Sequence, residues 1–137
     1  MKGVSMGLDM YGYTMRAEFV GDRQTDVNVR EEEQEQAGLT HFAYWRKFNH
    51  LHGWMEKLYR EKGGSKESFN CCTVRLELED LVRLEADLDG GKLEHTPGFL
   101  FGGEEIYPED IADTKVFIEN ARAAIAAGLA VFYDSWW

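Results

Sequence analysis

Hydrophobic and polar positions alternate over residues 8–19, near the start of the chain. Every second position there is aromatic or apolar: Tyr11, Tyr13, Met15, Ala17 and Phe19. A period of two places these side chains on one side of an extended chain, so the pattern predicts a β-strand with one buried face. Residues 21–38 are polar and contain the acidic run REEEQEQ, which predicts a mobile loop or an exposed connection between a strand and a helix.

The following segment has the period of a helix instead. Its apolar positions recur every three or four residues: Tyr44, Phe48, Leu51, Met55 and Leu58. That spacing forms one stripe along a helix and is typical of a helix that packs on a core. Thr40 can cap the start, and Gly63-Gly64 can end it, so a helix over residues 41–60 is predicted.

The second half of the chain predicts four further elements. Residues 74–88 begin with strand-like alternation and continue as an amphipathic helix. Residues 99–101 form a short aromatic stretch between glycines, which is typical of a strand. Pro108 suits the first turn of a helix that extends to Gly128, and residues 129–135 predict a closing strand.

The predicted elements follow the order β, α, α, β, α, β. This order indicates an α+β fold with a small, mainly antiparallel sheet packed against about three helices. A chain of 137 residues without an internal repeat or a linker is expected to form a single domain over residues 1–137.

Composition excludes several classes of protein. The apolar runs are shorter than the roughly 18 residues that a membrane span needs, and the N-terminus has no signal-peptide pattern. A cytoplasmic location without membrane attachment is therefore expected. Cys71 and Cys72 are adjacent and poorly placed for a disulfide, so both are expected to be free thiols. A high aromatic content of 13% lets the core form without a cofactor.

The net charge of −10 argues against direct binding of nucleic acid, because phosphates attract lysine and arginine. It permits binding to a protein with a basic surface. Residues 39–63 are the exception, since they carry five lysines and arginines against two glutamates.

Within that basic segment, five side chains combine aromatic rings, a guanidinium group, an imidazole and an amide. These residues are Trp45, Arg46, Asn49, His52 and Trp54. With the 99–103 turn they form a candidate site for an anionic small molecule such as a nucleotide, in a binding protein or small enzyme. The competing interpretation is structural, with Asn49 and His52 buried and hydrogen-bonded to the strands.

No catalytic signature is complete. A zinc site built from His41, His50, His52 and one cysteine is disfavoured, because His50 and His52 point to different sides of a helix and neither CxxC nor HExxH occurs. A cysteine nucleophile is disfavoured for want of a local histidine base. No metal, cofactor or catalytic residue is therefore assigned.

Several segments resemble a family of small bacteriophage and prophage proteins. They are MGLDMY at residues 6–11, YWRKFNHLHGW at 44–54, Asn70-Cys71, GFLFGGEEIYPEDI at 98–111 and FYDSW at 132–136. The resemblance implies a phage origin and an extension at residues 1–5, but transfers no activity. The long acidic insert departs from the pattern of the family.

Charge and resemblance together suggest an acidic, phage-encoded interaction protein that inhibits a host defence system. The most specific form of this hypothesis is an anti-CRISPR protein that binds the basic surface of a Cas effector. Its expected contact residues are Glu31, Glu32, Glu33, Glu35, Asp87, Asp89, Glu104 and Glu105. The acidic insert and Trp136-Trp137 are also candidate contacts of a homodimer.

Overall fold

The computed structural model describes residues 7–98 and 100–137. The secondary-structure elements follow in chain order: β1 (Asp9–Arg16), α1 (Ala17–Val20), a 3₁₀ turn (Glu31–Glu33), α2 (Gln34–Ala37), β2 (Thr40–Arg46), α3 (Asn49–Glu61), β3 (Val74–Leu76), α4 (Leu78–Asp89), α5 (Pro108–Ala126) and β4 (Leu129–Trp136). The predicted extension at residues 1–5 lies outside the described part of the chain.

Over the described residues, the strands form one four-stranded sheet in the order β2-β1-β4-β3. Each neighbouring pair is antiparallel. The central strands β1 and β4 pair along their whole length, from Asp9 opposite Trp136 to Arg16 opposite Leu129. The predicted α+β class with a small antiparallel sheet is confirmed.

The three long helices α3, α4 and α5 bury one face of this sheet. Met10, Val131 and Tyr133 belong to the same buried cluster as Leu51 of α3 and Phe117 of α5. We call this cluster the main core. Gly12 lets the Phe117 ring approach the sheet, because a Cβ at position 12 would lie 2.8 Å from that ring. The absence of a side chain at Gly12 therefore lets α5 pack close to the sheet through the ring of Phe117.

The opposite face of the sheet is covered by the acidic insert. A second buried cluster joins Tyr13, Met15 and Phe132 of the strands to Val27 and Ala37 of the insert. We call it the insert cluster. β1 is therefore buried on both faces, and the prediction of one buried face is wrong. The charged side chains at residues 30–35 lie at the surface, while Val27 and Ala37 cover the strands.

The predicted helix over residues 41–60 is wrong in its first third. Thr40–Arg46 forms strand β2, and α3 begins only at Asn49. Aromatic and β-branched residues fit a pleated strand, and β1 supplies the backbone partners that an isolated helix pattern does not reveal. Lys47, with a φ of 59°, turns the chain between the two elements. Tyr44 is consequently 52% exposed on the edge strand rather than part of the core stripe.

The predictions for the second half agree better with the structure. The strand-to-helix segment becomes β3 and α4, Pro108 begins α5, and β4 closes the sheet. The strand predicted at 99–101 is the exception. Phe99 lies outside the described residues, and Leu100 has a φ of 59° in a turn, which an extended strand does not permit.

Candidate functional site

Asn49, at the start of α3, is buried and holds two stretches of the loop that joins α4 to α5. Its side-chain nitrogen donates to the carbonyl oxygens of Phe101 (3.2 Å) and Gly103 (3.0 Å). Its side-chain oxygen accepts the backbone N–H of Thr96 at 2.8 Å. Asn49 is 1% exposed, and its amide group is occupied by hydrogen bonds to the loop backbone. It has no hydrogen-bonding capacity left for a ligand.

His52 lies one turn further along α3 and is also buried. Its Nδ1 shares a hydrogen bond of 2.7 Å with the hydroxyl of Tyr133 on β4. Burial lowers the pKa of His52 to about 4, so the ring is neutral near pH 7. A neutral imidazole inside the core offers no positive charge to an anionic ligand.

Trp45 and Arg46 lie on opposite faces of the sheet, because they are consecutive residues of β2. The Trp45 indole is in the main core and donates to the Thr114 hydroxyl at 3.1 Å. The Arg46 guanidinium donates to the Asp9 carboxylate at 2.7 Å, and this hydrogen bond raises the pKa of Arg46. A helix would have placed these residues close to Asn49 and His52, whereas the strand separates them.

Trp54 is held at the surface of α3 by Asp87 of α4, whose carboxylate accepts the indole N–H at 2.9 Å. The five residues of the proposed small-molecule site are thus divided among the core, a loop anchor, a helix surface and the far face of the sheet. The structure does not bring Arg46, Asn49 and His52 together in one pocket. The expectation that Asn49 and His52 are hydrogen-bonded side chains agrees with the structure, although Asn49 bonds to loops rather than to strands.

The eight carboxylates predicted to contact a partner do not form one surface. Glu31, Glu32, Glu33 and Glu35 belong to the insert, which covers one face of the sheet. Asp87, Asp89, Glu104 and Glu105 belong to the helix layer on the other face or to the loop that precedes α5. One flat partner surface cannot contact both groups at once.

Several of these carboxylates are already engaged inside the protein. Arg30 bonds to Glu33 at 2.9 Å and lies 3.6 Å from Glu32. Lys115 bonds to Asp89 at 2.9 Å, and Asp87 holds Trp54. Glu31, Glu35, Glu104 and Glu105 are exposed.

Glu104 and Glu105 begin a longer run of acidic side chains that extends into the first turns of α5. We call it the acidic segment, and its members are Glu104, Glu105, Glu109, Asp110 and Asp113. Among the described residues, no lysine or arginine forms an ion pair with any of them. Burial, then the charges of Glu109 and Asp113, raise the pKa of Asp110. Acidic residues are also typical of a helix start, so the sequence pattern around Pro108 does not by itself distinguish Glu109 and Asp110 as part of such a run.

Other kinds of site have little support in the described part of the chain. No three histidine, cysteine, aspartate or glutamate side chains there are grouped so as to hold a metal ion. Cys71 is exposed and Cys72 is buried. No helix among residues 7–98 and 100–137 has the length and apolar character of a membrane span.

Comparisons with known proteins do not assign the chain to a family. No protein-family model, no curated protein and no solved structure matches the chain.

Proposed function

We propose that the protein is an acidic interaction protein and that the acidic segment is its main contact surface. The observation that carries this proposal is a run of five carboxylates, at 104–113, without ion-pair partners among the described residues. On the same helix layer, Glu85 and Asp89 are bonded to Arg122 and Lys115. Like charges held side by side repel each other, and lysines or arginines of a partner would relieve that repulsion.

The more specific form of the proposal is a phage-encoded inhibitor of a host defence system, with an anti-CRISPR protein as the most specific case. Support comes from the net charge of −10 and from the resemblance to phage-borne proteins. A defence effector that handles nucleic acid has a basic groove, and a surface of carboxylates can occupy it in place of phosphates. Binding of this kind is fast at low salt and weakens as salt rises.

The insert is a separate, second contact group in this proposal. Glu31 and Glu35 are exposed there, whereas Glu32 and Glu33 lie next to Arg30. Because the insert and the helix layer cover opposite faces of the sheet, we expect only one of the two groups to dominate binding. The homodimer also remains a prediction: Trp137 is 41% exposed, but its indole donates to the Phe69 carbonyl at 3.0 Å.

The alternative small-molecule site built on Trp45, Arg46, Asn49, His52 and Trp54 is not favoured by any observation. It required a pocket in which the guanidinium, amide and imidazole groups converge. Asn49 and His52 are instead buried with internal partners, and Arg46 is across the sheet.

The test is native mass spectrometry of the tagged protein recovered from the lysate of a host that carries its defence systems. We expect a host protein that co-purifies at low salt and is lost at high salt. Neutralising four of the five carboxylates of the acidic segment, all but the partly buried Asp110, in the variant E104Q/E105Q/E109Q/D113N is expected to weaken that complex by at least about tenfold. The variant E31Q/E32Q/E35Q measures the contribution of the insert.

The matched control removes the same number of charges from exposed positions elsewhere, in the variant E18Q/E67Q/E79Q/E119Q. Equal weakening by the control and the acidic-segment variant would mean that net charge, not this surface, drives binding. Full retention of the complex by the acidic-segment variant would reject the surface. A captured partner unrelated to CRISPR would reject the specific form of the proposal.

A further inference from the structure

A small cavity lies between α3 and the loop that follows α4. Its volume is about 220 Å³, and one wall is formed by His50, Gly53, Trp54 and Lys57. The last three of these positions follow His50 by three, four and seven residues, so all four share one face of the helix. The facing wall is the loop at residues 92–97. Pockets for drug-sized ligands usually span about 300–1,000 Å³, so this cavity suits a smaller molecule.

The two walls are held in place by contacts outside the cavity. Asn49 accepts the Thr96 N–H at 2.8 Å and bonds to His95 at 3.1 Å, which fixes the loop against the start of α3. Gly53 permits this close approach, because a Cβ there would lie 1.9 Å from the Thr96 hydroxyl oxygen. The Asp87 carboxylate fixes the Trp54 indole. A cavity with fixed walls needs little ordering when a ligand binds.

One buried polar atom of the lining lacks a partner. His50 is 3% exposed, and its Nε2–H donates to the Glu104 carbonyl at 2.9 Å. A carbonyl only accepts, so in the neutral ring Nδ1 carries the lone pair. This Nδ1 is buried and has no hydrogen-bond partner among the described residues. Its accessible area is below 1 Å², so a ligand hydroxyl supplies the missing donor only when the His50 ring moves toward the cavity on binding.

The cavity carries positive charge, although the chain as a whole is acidic. Lys57 and Lys92 both line it, and Lys92 forms no ion pair among the described residues. Lys57 lies 3.7 Å from Glu94, but both side chains are more than two-thirds exposed, so water weakens this pair. Two lysines against one glutamate, Glu94, leave the lining of the cavity net positive, which favours an anion, and the rings of Trp54 and His95 offer flat surfaces to a short carbon body.

We propose that this cavity binds a small phosphate monoester that carries a hydroxyl group. The phosphate lies between Lys57 and Lys92, the carbon body contacts Trp54, and the hydroxyl approaches the side of the cavity formed by His50. This binding does not rest on the proposed contact with a protein partner, and the acidic segment touches the cavity lining through the backbone carbonyl of Glu104, which bonds to His50. The site uses Trp54 of the earlier candidate set, whereas Asn49 and His52 are buried and bonded inside the protein beside the cavity.

Isothermal titration calorimetry on the full chain tests the proposal, with glycerol 3-phosphate as the probe. We expect saturable binding, weaker binding of inorganic phosphate and glycerate, and none of glycerol. Adenosine monophosphate is the size control and is expected to bind no better than inorganic phosphate. The variant K57Q/K92Q is expected to weaken binding by at least about tenfold, since each lysine supplies a charge-assisted hydrogen bond.

The control K66Q/K115Q removes two exposed lysines that do not line the cavity. Equal weakening by both double variants would overturn the proposal, because it would indicate nonspecific attraction. Lack of saturable binding at about 10 mM probe would also overturn it. Thermal unfolding checks that both variants are folded, and both should be, because these lysines are exposed.

Discussion

The two faces of the sheet are buried in different ways. The main core joins the sheet to three long helices through large side chains such as Phe117, Leu51 and Tyr133. The insert cluster joins the other face to an irregular segment through a few smaller side chains such as Val27 and Ala37. Buried apolar area supplies most of the stability of a fold, so the helix face is expected to hold the molecule together. The insert face has fewer apolar contacts and is expected to open at a lower free-energy cost.

The largest effect is expected from the centre of the main core. Phe117 is 1% exposed and packs against Phe42 and edge-on against Trp45. Removing its ring in F117A leaves a cavity and is expected to lower the free energy of unfolding by about 3–5 kcal/mol. Urea denaturation followed by tryptophan fluorescence measures this loss. A loss below about 1 kcal/mol would contradict the assignment of the main core as the stabilising face.

The next largest effect is a pH-dependent loss of stability, and it arises from His52 on the helix face of the sheet. Burial lowers the pKa of His52 to about 4 in the folded protein, against 6.5 for an exposed histidine. The unfolded chain therefore binds more protons between these values, and stability is expected to fall as the pH drops from about 6.5 to about 4. The loss at the acid end is about 3 kcal/mol if this histidine alone changes.

Denaturation curves of the wild type and of the variant H52Q across that pH range measure this contribution. H52Q is expected to be less stable near pH 7 and to vary less between pH 6.5 and 4. Equal slopes for the two proteins would contradict the assignment to His52. His50, whose pKa burial also lowers, contributes in the same direction and is present in both proteins.

The smallest effect compares the two faces directly with one kind of substitution. Val131 is fully buried in the main core and Val27 is 2% exposed in the insert cluster. V131A is expected to cost about 2 kcal/mol and V27A about 1 kcal/mol, because an irregular segment can collapse around the lost methyl groups. Hydrogen exchange would show faster exchange of the insert amides in V27A. Equal losses in the two variants would mean that the faces are equally tightly packed.

Local sequence signals were sufficient for most elements. Pro108 and the acidic residues after it mark the start of α5, and the glycines at 90–91 follow the end of α4. These signals depend on the residues themselves and their near neighbours. The stripe from Phe48 to Leu58 likewise identifies the buried side of α3.

The errors have a common physical cause. Tyr44 fits a helical stripe, and its four-residue spacing to Phe48 concealed the break at Lys47. Only pairing with β1 decided that Thr40–Arg46 is a strand. Because residues 40–46 form a strand instead of the start of a helix, Arg46 lies away from Asn49. The candidate small-molecule site, which needed both residues in one pocket, is therefore not formed. A pattern of a few residues does not distinguish a helix from a strand whose partner lies much earlier in the chain, from Thr14 opposite Thr40 to Asp9 opposite Arg46.

The sequence by itself determined the α+β class, three of the four strands, the two C-terminal helices and the strong negative charge. These properties follow from composition and from periodicity within one element. The tertiary structure decided that the insert covers the second face of the sheet, that the predicted acidic contact residues divide into two groups, and that Lys57 and Lys92 meet at a cavity with His50. Each of these depends on side chains far apart in sequence, whose proximity is set by strand pairing and by packing of the helices on the sheet.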